Sequence, residues 1–188
     1  MKRTLCILGF AGLVLAVGCA KLKSLTTINV DIPYTQAVTL PAVPDTSGSI
    51  KFPVGGITVT TPVTPVPTRS SQYISGNNTT ANDITSISMK SATMQITNPS
   101  GGYFDFLDSI SVYLGGKNLP TILLATKTSI AKSQNTLNLD VPVDSSLKSY
   151  FLLDTMNVYF TAHFNNPPPK SLSVNSTVTF HMVANPLN

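Results

Sequence analysis

Catalysis needs side chains that exchange protons or attack an electrophile, and cation binding needs several donors held together; this chain supplies few of either. Its eight acidic residues are all aspartates, its histidines are His163 and His181, and its cysteines are Cys6 and Cys19. Serine and threonine abound, so composition alone leaves a Ser–His–Asp hydrolase open. No Gly-x-Ser-x-Gly is present to hold a nucleophile, however, and nothing in the spacing brings such a set together. Asp105 and Asp108 lie three apart, and Asp140 and Asp144 flank another turn; oxygen clusters of this kind can bind calcium. No Asp-x-Asp-x-Asp run accompanies them, and single aspartates at turns and helix starts ordinarily cap backbone N–H groups. The expectation is therefore no enzyme, no metal and no cofactor.

The histidines sit on the two most regular stretches. Met156, Val158, Phe160, Ala162 and Phe164 alternate with other residues, as do Leu172, Val174, Val178, Phe180, Met182 and Ala184. Asn165-Asn166-Pro167-Pro168-Pro169 between them reads as the turn of a single hairpin. With Phe164 opposite Leu172, His163 and His181 fall about eight residues apart, roughly 26 Å at about 3.3 Å per residue, too far to share an ion. Val158, Phe160, Val178 and Phe180 then point inward and both histidines outward.

The elements that position these residues follow from the rest of the chain. Threonine-rich and glutamate-free, it favours strand over helix, and its 14 prolines fall mostly between apolar alternations, where turns and edges lie. Met1 to Cys19 is a basic head (Lys2, Arg3), an apolar run from Leu5 to Val17, and Gly18-Cys19. The run is shorter than the ~20 residues of a bilayer span and ends in small residues, as a cleaved signal peptide does. Leu15-Ala16-Val17-Gly18-Cys19 resembles the lipobox of bacterial lipoproteins, in which the cysteine becomes the lipid-modified first residue. That resemblance implies a diacylglycerol thioether on Cys19, whose buried methylenes at about 0.8 kcal/mol each would hold the protein on a membrane. Ala20 follows rather than the aspartate that resembles an inner-membrane retention signal, and no acidic run resembles a surface-export signal. The implied location is the outer membrane, facing the periplasm.

Cleavage at that point leaves 170 residues, with ten basic against eight acidic side chains once Lys2 and Arg3 are gone. No basic stripe interleaved with aromatics remains, which argues against nucleic acid. Residues 19–24 form a tether and 25–188 one domain, divided into N-terminal strands with a Pro-rich segment (25–69) and a main sandwich (84–188). Ile28, Val30 and Ile32 alternate in a strand that Pro33 interrupts, and Tyr34 to Leu40 is a weaker one. Three alternating prolines, Pro62, Pro65 and Pro67, follow Ile57-Thr58-Val59-Thr60 and mark an extended edge or linker. Arg69 to Asp83 reads as an exposed loop, and Asp83 as the cap of a short turn containing Ile84 and Ile87. Further strands centre on Met94, Val112, residues 121–128 and Leu139. Asp144 starts a turn or two of helix carrying Leu147, Tyr150 and Phe151.

Strands at this spacing predict an all-β fold, a two-layer antiparallel sandwich of about eight strands with one or two short helical turns. Ser86-Ile87-Ser88-Met89-Lys90-Ser91, Phe104-Asp105-Phe106-Leu107-Asp108-Ser109-Ile110 and Asn118-Leu119-Pro120 resemble recurrent features of a group of uncharacterised Bacteroidota all-β lipoproteins, a resemblance that brings no activity. The function that fits is a structural or binding role in the cell envelope. Loops at sandwich ends commonly do such work, which makes Tyr73, Asn77, Asn78, Asn165 and Asn166 the candidate contacts to a glycan or an envelope protein. A pocket holding histidine with serine and aspartate would favour an enzyme; exposed tyrosines such as Tyr73, Tyr103 and Tyr113 would favour binding.

Overall fold

The computed structural model describes residues 27–40, 52–142, 146–168 and 171–186. The signal segment, Cys19, Asp144 and Lys170 lie outside them. Where polar and apolar residues alternate the backbone is extended, since a period of two turns every second side chain to the core. The strands are β1 (Ile28–Leu40), β2 (Ile57–Thr60), β3 (Thr64–Pro67), β4 (Ile84–Asn98), β5 (Leu107–Gly116), β6 (Leu119–Thr128), β7 (Thr136–Leu139), β8 (Thr155–Phe164) and β9 (Leu172–Ala184). Two short helices join them, α1 (Ser70–Gly76) and α2 (Lys148–Phe151).

The strands form two antiparallel sheets, one ordered β1-β9-β4-β7 and the other β2-β8-β5-β6, with β3 also pairing along β8. This is the all-β sandwich that the alternation predicts, with nine strands among the described residues. Ile32, Ile87, Met94, Leu137, Val174, Phe180 and Met182 of the first sheet meet Leu107, Ile110, Val112, Leu114, Leu124 and Met156 of the second in one apolar core. Helix α2 adds Tyr150 and Phe151 to it, with Leu147 just ahead.

The expected final hairpin does not form. β8 pairs with β5, β2 and β3, whereas β9 pairs with β1 and β4, so the connection from 165 to 171 crosses from one sheet to the other. Alternation fixes which face a residue shows but not which strand lies beside it; proline-rich 167–169 suits a crossover as well as a turn. The facing itself agrees: Phe180 is buried, Val158, Phe160 and Val178 pack against the core, and His163 and His181 project from the outer faces of different sheets.

Three other local readings change. β1 runs unbroken through Pro33, which pairs with Thr179 on an edge strand, where a missing N–H is tolerated. Ile84 and Ile87 belong to strand β4 and not to a helical turn. β4 carries bulges at 84–86, 89–91 and 96–98, and each inserts a residue that shifts the inward face by one, producing the three-residue spacing of Ile84 and Ile87. The hydroxyls of Thr85 and Thr97, the inserted residues at two of them, donate to Val183 O (3.1 Å) and Ser173 O (3.2 Å). Finally, 70–76 is helical, because Tyr73 and Ile74 have an apolar wall to pack on.

Candidate functional site

A groove of about 420 Å³ opens at one end of the sandwich, between the β4–β5 turn and the segment after β8. Tyr103, Asp105 and Phe106 line it from one side, Asn166 and Pro167 from the other. The β4–β5 turn approaches closely enough that a Cβ on Gly102 would stand 2.8 Å from Ile96 Cγ2. Tyr103, 47% exposed, presents its ring to solvent beside the groove, and Phe106 is buried in its floor. Asp105 is fixed by the backbone N–H of Ser133, which donates to its Oδ1 at 2.6 Å.

Asn166 is held by a chain of polar contacts that runs away from the groove. Its Nδ2 donates to Asn165 Oδ1 at 3.0 Å, and Asn165 Nδ2 donates to Asp108 Oδ1 at 2.6 Å. The other oxygen of Asp108 lies 3.8 Å from His163 Nε2, and His163 Nδ1 shares a hydrogen bond of 3.0 Å with Thr58 Oγ1. Asp108 reaches this position because it is the inserted residue of a bulge between Leu107 and Ser109, which re-aims its side chain along β8. Gly56, at φ +81, closes over the far end: a Cβ there would sit 2.3 Å from Phe164 O and 2.8 Å from His163 Nε2. Only glycine fits this position without displacing the ring.

The sequence candidates therefore separate. Asn165 and Asn166 meet at the groove, Asn166 in its wall and Asn165 behind it. Tyr73, Asn77 and Asn78 lie at the opposite end of β8, where Thr68 N donates to Asp154 O, roughly 30 Å away at about 3.3 Å per residue. Tyr73 packs against Tyr34 and Phe151 at centroid distances of 6.1 and 6.4 Å. Asn77 is the C-cap of α1, its Nδ2 donating to Tyr73 O at 2.8 Å, and Asn78 takes the left-handed conformation (φ +52) that ends the helix. Tyr113 stacks on its cross-strand neighbour Tyr159 at 4.9 Å on the outer face of the five-stranded sheet. Reading by residue type missed Asp105 and Phe106 as groove residues; the glycine-rich turn beside Tyr103 was the available signal.

His163 has Asp108, Thr58 and Ser109 as neighbours, but on an open sheet face and outside the groove lining. Across the molecule, His181 Nδ1 lies 2.8 Å from Asp31 Oδ1, and Lys90 Nζ also reaches Asp31. Lys90 first and His181 second hold the Asp31 carboxyl below the ordinary carboxylate value. Of the two aspartates at the other turn, Asp140 pairs with Lys127 at 3.3 Å and Asp144 lies outside the described residues. No group of three or more His, Cys, Asp or Glu is placed to hold a metal among the described residues. No helix among them is long and apolar enough to cross a membrane.

No protein-family model and no curated protein matches the chain. A solved chain of Desmodium yellow mottle tymovirus resembles it over 86% of this chain and 90% of its own, at 10% identity and a TM-score of 0.26. A likeness that slight carries no argument.

Proposed function

We propose that this chain is a lipid-anchored binding module of the bacterial cell envelope, which engages a neutral glycan at the end groove. One observation carries the reading: an exposed aromatic ring, Tyr103, stands beside a carboxylate and an amide already fixed in place, Asp105 and Asn166. Sugars offer an apolar C–H face and a rim of hydroxyls, so they need a ring for the face and immobilised acceptors and donors for the rim. Fixing those groups beforehand lowers the ordering cost of binding. The chain has no tryptophan, leaving tyrosine as the largest stacking ring.

Titration of neutral oligosaccharides tests the site. Tyr103→Ala and Asn166→Ala are expected to weaken binding at least tenfold without moving the denaturation midpoint, whereas Tyr113→Ala leaves binding intact. Equal binding by all three proteins would remove the groove from consideration. The anchor is tested separately: Cys19→Ser should move the protein from the membrane fraction to the soluble one, and persistent membrane association would overturn lipid attachment at Cys19. Impermeant labelling of intact cells should leave the protein unmarked if it faces the periplasm.

A further inference from the structure

We infer that the space between the two sheets, at the edge where β1 and β2 lie, is a binding site for a single linear aliphatic chain. The inference is independent of the glycan reading; Phe106 stands in the wall of both spaces, but nothing in the cavity depends on the groove.

Inward-facing side chains of a sandwich are normally covered by the opposite sheet, and at this edge they are not. Val59 pairs with Ala162 and Ile57 with Phe164, positions that turn both side chains toward the core, yet they remain 42% and 37% exposed. Behind them lies a cavity of about 120 Å³ bounded by Val38, Met94 and Val174 of one sheet and by Phe160 and Ala162 of the other. Its polar neighbours are Thr61 and Ser176. The Thr61 hydroxyl is engaged by the backbone, accepting from Phe160 N at 3.0 Å.

Size and chemistry define the occupant. Apolar cavities of about 150 Å³ in protein cores stay dry and take up benzene or xenon, so a carbon-lined space of this volume suits a few methylenes and nothing charged. A space smaller than the ~150 Å³ that takes up a single benzene ring leaves no room for a fused-ring system. A saturated chain of four to six carbons fills it while any polar head stays in water at the Val59 mouth. Each methylene transferred from water strengthens binding roughly fourfold until the cavity is full.

Methyl NMR provides the test, because Met94 lines the cavity whereas Met89, Met156 and Met182 do not. The probes are 1-butanol, 1-pentanol, 1-hexanol and 1-octanol, added to the chain from residue 19 onward carrying Cys19→Ser, so that no detergent competes. The expected result is a saturable shift of the Met94 methyl, with the dissociation constant falling roughly fourfold per carbon up to six and levelling thereafter, while the Met182 methyl stays still. Ala162→Leu should fill the space, abolish the Met94 response and raise the melting temperature; Ala162→Val serves if leucine is not accommodated. A Met94 methyl that does not move, four methyls that drift together without saturating, or a response unchanged in the filled variant would each overturn the site.

Discussion

The two long edges of the sandwich are built differently. At the β6–β7 edge the sheets are joined: Thr126 and Asp140 exchange backbone hydrogen bonds of 2.9 and 2.6 Å, and Leu124, Ala125, Leu137 and Leu139 are buried beneath them. At the β1–β2 edge no backbone hydrogen bond links the sheets among the described residues, and Tyr34, whose hydroxyl donates to Thr68 O, is the clasp at one end. Burial raises the pKa of that Tyr34 hydroxyl. Prolines 33, 65 and 67 occupy these edge strands, where they deny a neighbouring chain the N–H groups it would need to add on. One edge thus completes the core and the other leaves part of it accessible. A sandwich that only needed stability would gain from closing both.

The largest test of that contrast is a pair of truncations. Leu137→Ala on the closed edge removes a fully buried side chain and should cost about 2–5 kcal/mol in urea denaturation. Val59→Ala, the same kind of truncation on the open edge, should cost less than about 1 kcal/mol, since much of that side chain already sees water. Equal losses would mean that Val59 is covered in solution and that the two edges do not differ.

The clasp comes next. Thr68 is fully buried; its hydroxyl donates to Leu153 O, its N–H donates to Asp154 O, and its carbonyl accepts from Tyr34. Thr68→Val keeps the shape and strands the Leu153 carbonyl, for an expected loss of about 1–3 kcal/mol. Tyr34→Phe should reproduce a smaller part of the loss. If neither moved the midpoint, the open edge would be free along its whole length.

How much of this was legible in the sequence follows from what each signal encodes. Period-two alternation carried the class and the facing of β8 and β9, because burial acts on every second residue. Pairing was not legible, since the choice between a hairpin and a crossover after Phe164 is decided by partners as distant as Gly115 from Asn157 and Ile28 from Ala184. Bulges defeated the reading of 84–87 for the same reason: a single inserted residue makes a strand look like a turn of helix. At the groove, Asn165 and Asn166 stood out as turn asparagines. Asp108 and Asp105 did not show their parts, since one acts through a bulge and the other through a loop N–H.

The smallest expected effect lies on the outer face of β1, the open-edge strand. Asp31 there meets Lys90 of β4 and His181 of β9, and these two, Lys90 first, depress its carboxyl pKa below the ordinary 3.8. A carboxyl depressed in the folded state adds stability that is fully present above its unfolded value and is lost as pH falls through the folded one. Asp83 has the same sign for a different reason, since the Thr80 hydroxyl and N–H donate to it at 2.7 and 2.8 Å. Both contributions should therefore disappear in acid, below about pH 4, and be flat through neutrality. Both carboxylates are solvent-exposed, so each effect should be smaller than that of Thr68→Val and weaken with salt for Asp31 but not for Asp83, whose partners are uncharged. Denaturation midpoints measured from pH 7 to pH 2 check this. Asp31→Asn should flatten the acid limb and remove its salt dependence; an acid limb unchanged in that variant would show that the Asp31 cluster does not tie β1 to the sheet.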